Sequence, residues 1–549
     1  MKTHGYKISD YWVPALLGTL AFFIVVGPRV LDPTNIAWLG AGDPATHYLG
    51  WLFFRHADWL FPIGLNPDYG LELSSAIIFS DSNPLLAFLF KPFSPFLPAT
   101  FQYFGIWLFA CFVLQSWFGW LLSGLICENR VQRTFIVGLL VFSPPMLWRL
   151  YGHLSLMAHF LILAALYLSF RPEKHGRNWA WGSLLFVTAL VHPYLLAMVM
   201  AVWIANLLQV IISKSISVRA AGLELVAIMS ITAIACWQAG YFSVGSGTSH
   251  LGFGIYRMNL LSIVDSGGWS YVLKDLPQGD ADAGSNFLGL GLVFLALYGL
   301  PAVISGKTGI ARPARKFPIL LAVLAALTCF ALSNKVGFGS SSFEYPLPDS
   351  VLKLANVFRA SERMFWPVFY TLVVVIVFLV VRGYDRRTAT YLLGIALVMQ
   401  MVDTSAAWKG IRKNMMTRPN AAWPSPLASP FWAEAAMRYK KVRTIPPTNH
   451  PPSWMPLAMY AGSNGMATDT VYLARIGSKE LETLQRKAIE SLKTGKFEND
   501  AIYILSDEAF LQASKSVDTN FDMAARIDGL NVIAPGWMKC SSCPSSQEE

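Results

Sequence analysis

The sequence predicts an all-α polytopic membrane protein of about 11 transmembrane helices with a small C-terminal α/β domain. Three observations predict it. Hydrophobic residues make up 54% of the 549-residue chain and charged residues only 14%, with a mean hydropathy of +0.44. A soluble domain averages about 25% charged residues, so lipid must replace water as the main solvent of this chain. Apolar runs near the length of a bilayer crossing recur up to residue 402, and beyond it the composition turns mixed and charged.

A spanning helix needs about 20 mostly apolar residues. Eleven runs qualify, centred on 11–30, 101–126, 134–148, 154–170, 178–192, 194–212, 220–241, 287–305, 317–333, 364–381 and 388–402. The third is short and ends at Pro144-Pro145. The fifth and sixth are separated only by His192-Pro193-Tyr194. The first follows Lys2 and Lys7 but lacks a small-x-small cleavage pattern, so it reads as a retained span.

Lys and Arg between spans set the orientation. With the N-terminus inside, the inner segments hold sixteen basic residues against four acids, Asp10, Glu128, Glu173 and Asp385. The opposite loops before residue 403 are longer and carry thirteen acids with ten basic residues. Long polar loops on one face are where chemistry usually resides. The net charge of +10 therefore marks topology. No continuous basic, aromatic-studded face suited to nucleic acid is present.

An odd number of spans puts the tail outside, so the expected division is a membrane domain over 1–402, containing a first outer loop at 31–100, and a linker with an extracytoplasmic domain over 403–549. Seventeen basic and fifteen acidic residues interleave in the tail. A Pro-rich linker opens it. An amphipathic helix is expected at 478–493, a strand at Ala501–Leu505, a helix after Ser506, which precedes Asp507 and Glu508, and a last strand near Asn531–Ala534. Cys111, Cys127, Cys236 and Cys329 read as packing residues. Cys540 and Cys543 form a C-x-x-C whose expected state, in an exported tail, is a disulfide.

Four groups of residues could carry chemistry. In the first outer loop, Asp43 sits between Gly42 and Pro44 shortly after the first span, and it is also a reasonable turn or helix N-cap residue. His47 is four residues on, which on a helix puts both on one face. The pair suits acid–base work or a plain hydrogen bond, and without a third ligand a metal is the weaker reading. Asp81 either caps the segment Asn83–Phe90 or faces the same cavity as Asp43. The second group is the histidines at outer helix ends, His153 and His192, with His159 as a buried interhelix hydrogen bonder. The third is Arg359 and Arg363, four apart before the tenth span; an arginine fork suits phosphate better than lysine does, and interfacial anchoring with Trp366 is the alternative. The fourth is the aromatic and amide-rich pair Asp265–Tyr271 and Asn286–Gly291, which suits a carbohydrate contact or an ordinary membrane-surface loop.

Taken in order, Gly42-Asp43-Pro44-Ala45-Thr46-His47-Tyr48-Leu49-Gly50-Trp51, Asp81-Ser82-Asn83-Pro84 with Lys91-Pro92, Gln102-Tyr103-Phe104-Gly105, Gly152-His153 through His159, and Arg359 through Pro367 form a pattern. It resembles the GT-C class of membrane glycosyltransferases and, more narrowly, a bacterial polytopic family related to that class. The resemblance spans nearly all of residues 1–400 and fades in the tail. It departs near Asp282-Ala283-Gly284, where a Glu-Gly pair followed by an aromatic is expected.

The resemblance implies an inverting glycosyltransferase on the periplasmic face of a bacterial cytoplasmic membrane. The donor would be a sugar on polyprenyl phosphate, and the acceptor a cell-envelope glycan or lipid. Asp43 would be the catalytic base, Arg359 and Arg363 would steady the departing lipid phosphate, and His47, Asp81, His153 and His192 would be substrate-binding. No cofactor is certain; a divalent metal is compatible with the class but not indicated by these residues. The main alternative is a transporter or flippase of lipid-linked sugars, which needs ionisable groups near mid-membrane. Glu224 is the one acid well inside a span, and it lies near the inner end. An oligosaccharide ligase or polymerase of the same class is a third reading.

Overall fold

In the computed structural model the chain is described over residues 9–73, 76–172, 176–244, 252–276, 286–306 and 308–539. The expected Cys540–Cys543 pair and the departure at Asp282 lie outside them. The protein is membrane-embedded and mostly helical, with a small sheet domain near its C-terminus.

Among the described residues, six helices are long and apolar enough to cross a membrane: Phe104–Ser123, Arg130–Tyr151, Pro193–Ile212, Val218–Gln238, Ser361–Gly383 and Arg386–Met415. Four more apolar helices are shorter, Trp12–Val25, Leu154–Phe170, Leu290–Ile304 and Pro318–Leu332. Helix is the form such runs must take, because it pairs every backbone polar group within one segment. Where the fifth and sixth runs meet, His192 ends the helix Arg177–Val191 and caps Pro193–Ile212, its ring nitrogen accepting from the Tyr194 backbone N–H at 3.1 Å.

The described chain divides into two compact units. The first contains residues up to 38, 102–233 and 250–419. Its helices approach through small residues, as helices in lipid do. A Cβ on Gly18 would stand 2.6 Å from the backbone of Val113, and one on Gly291 2.1 Å from the Ala396 carbonyl oxygen. Buried Gln400 fixes the same crossing by donating to the carbonyls of Phe142 and Leu288 and accepting from the Gly291 N–H.

The second unit joins residues 39–101 and 234–249 to 420–549. It therefore joins most of the segment 31–100, expected as the first outer loop, to the tail. The expected boundary at 402–403 falls inside the helix Arg386–Met415. The change of polarity there has a local cause. Asp403 is buried and accepts from the Ser270 hydroxyl and the Tyr271 N–H, both at 2.9 Å, so the helix continues past its apolar stretch.

A hairpin, β1 (Lys335–Phe338) and β2 (Ser341–Glu344), lies in the first unit. The sheet of the second unit has five strands, β3 (Lys441–Ile445), β4 (Ala467–Thr468), β5 (Ala501–Leu505), β6 (Met523–Ile527) and β7 (Leu530–Ala534), in the order β4-β3-β5-β7-β6. Strands β4, β3 and β5 are parallel, whereas β7 is antiparallel to both β5 and β6. All five residues of β5 are buried, as expected of a central strand read as one apolar run. The helix Ser478–Thr494 turns Leu484, Ala488 and Leu492 inward at fourfold spacing and ends at Gly495 with φ +68°.

Candidate active site

The helix Gly42–His56 carries Asp43 and His47. Asp43 lies in its first turn, where a carboxylate complements the positive end of the helix. Pro44 beside it lacks an N–H that a first turn would leave unpaired. Asp43 is half-buried, and from Pro44 to Arg55 every residue is buried.

The rest of the second unit, to which this helix belongs, grips it on several sides. Trp51 donates its indole N–H to the Phe101 carbonyl at 2.9 Å, and Asn66 donates to the Gly50 carbonyl at 3.0 Å. Thr46 is hydrogen-bonded to the Tyr69 hydroxyl at 3.1 Å and donates to the Tyr472 carbonyl. Burial pushes the Tyr48 hydroxyl up to about 12, against the opposing charge of Arg55.

His47 and Asp81 are brought together. The His47 Nδ1 lies 3.0 Å from the Ser80 carbonyl oxygen, which can only accept, so this hydrogen bond places the proton on Nδ1. That leaves Nε2 facing the Asp81 carboxylate at 3.8 Å. The aspartate reaches this position from a left-handed backbone, φ +54°, at the end of the turn Ile77–Ser80. Ser82 donates to the His47 carbonyl at 2.7 Å. Asn83, not Asp81, caps the helix Pro84–Phe90. The arrangement is an imidazole oriented by a carbonyl beside a carboxylate, on the same helix face as Asp43.

The remaining sequence-predicted residues belong to the first unit. Arg363 is buried, its guanidinium 5.0 Å from the centre of the Tyr194 ring. The His192 ring is 5.6 Å from the same tyrosine, whose hydroxyl accepts from the Ala360 N–H at 2.9 Å. Arg359 is half-buried and packs against Gly252, where a Cβ would stand 2.8 Å from its own. His153 is half-buried at the start of the turn Leu154–Met157. His159 is fully buried and bonded to the Tyr370 hydroxyl at 2.8 Å, joining two helices. Glu224 is engaged by Arg177 at 2.5 Å and by the Trp203 indole at 3.2 Å. Among the described residues, no group of three or more His, Cys, Asp or Glu side chains is placed to hold a metal ion.

Sequence reading missed three features. Arg149 is buried with its guanidinium 5.6 Å from the Trp366 ring centre, and its one signal was a lone charge in the stretch 134–170. Arg443 of the sheet domain meets both Asp469 of that domain and Glu72 of the segment 39–101. An apolar cleft of about 180 Å³ lies between the Pro-rich segment at Trp423–Leu427 and the helices Pro430–Arg438 and Trp454–Ser463. Trp423 on its wall contacts Tyr48 edge-on at 5.4 Å.

Comparison with solved structures finds the crystal structure of ArnT from Cupriavidus metallidurans bound to undecaprenyl phosphate. The match covers 98% of this chain and 99% of that one at 12% identity, with a TM-score of 0.39. No curated protein matches the sequence. Residues 15–405 match a family model described as "Domain of unknown function (DUF6311)" and residues 431–535 its "DUF6311 C-terminal domain". The chain belongs to the DUF6311 family.

Proposed function

We propose that the protein is an inverting GT-C-type glycosyltransferase that takes its sugar from a polyprenyl-phosphate donor and works on the periplasmic face of a bacterial cytoplasmic membrane. The four shorter apolar helices and Arg177–Val191 are read as further spans beside the six long ones, for about eleven in all. The observation that carries the proposal is the buried His47 ring, held against the Ser80 carbonyl and facing Asp81, on the helix whose first turn bears Asp43. The excess of basic residues in the opposite loops supports the orientation.

In this reading Asp43 removes the proton of an acceptor hydroxyl as its oxygen attacks the anomeric carbon of the donor sugar. The bond from that carbon to the phosphate oxygen breaks, with inversion, and the polyprenyl phosphate leaves with the bonding electrons. Arg359 and Arg363 are assigned to the phosphate as its charge grows, by charge-assisted hydrogen bonds. His47 and Asp81 bind the acceptor, while His153 and His192 serve on the substrate side. The engagement of Glu224 by Arg177 and Trp203 gives the transporter alternative no unpaired carboxylate at that position.

The test is direct. Purified full-length protein in nanodiscs is given a polyprenyl-phosphate-linked sugar and an extract of envelope glycans and lipids. Release of free polyprenyl phosphate together with a glycosylated product is the expected result. Donor that crosses a vesicle membrane without losing its sugar would replace the proposal by the transport reading.

A further inference from the structure

The first outer loop exposes an apolar surface that the transfer reaction does not use. Between Asp81 and Glu128 the sequence holds a single charged residue, Lys91. Folding withdraws even that charge from the surface. The Lys91 ammonium lies 4.0 Å from the Phe54 ring centre and 4.6 Å from that of Trp59, donates to the Asp58 carbonyl at 3.3 Å, and is buried. Burial lowers it to about 8 despite Asp58 and Asp68 nearby. What remains outside is Trp59, Phe61, Leu89, Phe93 and Phe96, the last 86% exposed. Isolated apolar side chains at a surface need no explanation, but a contiguous group of this size does.

Two further observations say what covers it. The backbone there is prepared for a medium poor in water. Pro92, Pro95 and Pro98 remove three N–H donors, and Arg55 donates to the carbonyls of Ala99 at 3.0 Å and Ser94 at 3.3 Å. The surface is also continuous with the end of a membrane-crossing helix. Gly64 donates its N–H to the carbonyl of Gln238, the last residue of Val218–Gln238, at 2.8 Å, and Ile63 donates to the Gln238 side chain at 3.2 Å. The Phe61 ring meets that of Trp237 edge-on at 4.8 Å. Phe61 is thereby held beside the last turn of this helix, and the ends of membrane-crossing helices are where aromatic side chains gather.

We propose that the segments Trp59–Phe61 and Leu89–Phe96 form one lipid-binding face, seated in the membrane interface on the side of Gln238. The face tethers the base of the Gly42–His56 helix to the bilayer surface. Its occupant is the lipid headgroup and acyl boundary, where amphipathic segments bury their apolar side. The tether does not depend on any sugar transfer.

The test uses the full-length chain in nanodiscs of phosphatidylethanolamine and phosphatidylglycerol. A photo-crosslinking phenylalanine analogue replaces Phe61 or Phe96, both exposed aromatics, so the fold is kept. Leu511, 67% exposed on the helix Asp507–Ala513 of the sheet domain, is the control position. Lipid adducts at 61 and 96 are expected about tenfold or more above those at 511. Adducts no more frequent than at 511 would overturn the proposal. Crosslinks to a second copy of the chain in place of lipid would overturn it too, making the face a self-association surface.

Discussion

Arg443 of strand β3 and Glu72 of the segment 39–101 face each other through two parallel bonds, Nη2 to Oε1 at 3.0 Å and Nη1 to Oε2 at 3.2 Å. The same guanidinium reaches Asp469 at 3.3 Å and Glu498 at 3.3 Å. Beside this ion cluster the loop extends the sheet. The Thr468 N–H of β4 donates to the Asp68 carbonyl at 2.9 Å, and the Gly70 N–H returns to Thr468 at 2.8 Å. The segment 39–101 is thus built into a domain formed nearly four hundred residues later, and the Gly42–His56 helix is part of the same unit.

Removing the arginine leaves a buried carboxylate without its counter-charge. Asp469 is 2% exposed, so above about pH 7, where it is ionised, Arg443→Ala is expected to cost the second unit about 3–5 kcal/mol. Glu72 is 43% exposed on its side chain, and Glu72→Gln should cost about 1 kcal/mol or less because solvent screens the pair. Pulse proteolysis of the full-length protein in detergent, read at sites within 420–539, separates the two. Equal, small effects from both substitutions would remove the cluster as the link between loop and sheet.

Asp469 also gives the unit a pH dependence. Burial outweighs the attraction of Arg443 and raises its carboxyl from 3.8 to about 7, with the charge of Glu72 adding in the same direction. A raised pKa means the folded unit keeps a proton that the unfolded chain releases. Stability from this group is therefore complete below about pH 4 and is lost as pH rises through about 7. Glu72, held down by Arg443, works in the opposite sense and only at lower pH, where its stabilisation fades as it protonates. Denaturation of the unit across that window should show stability falling with pH in the native chain. The slope should flatten in Asp469→Asn, and unchanged slopes in the variant would refute the assignment.

Gly50 allows the turn bearing Asp81 to lie against the His47 helix. A Cβ there would stand 2.0 Å from Ser80 Oγ and 2.4 Å from Ser82 Oγ. Gly50→Ala should push the segment 77–83 outward, at a cost of about 1–3 kcal/mol from overpacking. The expected signature is faster proteolysis near Asp81 together with lower transfer. Proteolysis at the native rate would mean that the turn does not depend on this close approach.

Arg363 offers a flat guanidinium stacked by Tyr194. Lysine keeps the charge but neither the fork nor the stacking. Arg363→Lys is expected to raise the donor KM about tenfold or more while the protein keeps its expression level. An unchanged KM in a steady-state assay would leave Arg363 with only an interfacial anchoring role.

Elements whose cause is local were legible in the sequence. The helix expected at 478–493 is Ser478–Thr494, and the strand expected at Ala501–Leu505 has those bounds. Ser506 caps the helix Asp507–Ala513 by accepting from the Ala509 N–H at 3.2 Å. The break at His192-Pro193 follows from proline chemistry alone. Strands β3, β4 and β6 were not legible, because Lys441–Ile445 and Met523–Ile527 mix charged and apolar residues and Ala467–Thr468 is only two residues long. Nor was the joining of 39–101 to the tail, which rests on pairings such as Arg443 with Glu72 whose sequence separation leaves no local trace. At the candidate site, the helical spacing of Asp43 and His47 could be read directly. The facing of His47 and Asp81 could not, since it requires the left-handed backbone at Asp81.

The central claim is that the carboxylate of Asp43 acts as the base. The most direct measurement is the rate of sugar transfer from a polyprenyl-phosphate donor by Asp43→Asn, in nanodiscs, beside the native protein at equal amount and with an equal proteolysis pattern. The proposed mechanism predicts a loss in kcat of about a hundredfold or more. Transfer at the native rate by the asparagine variant would contradict it.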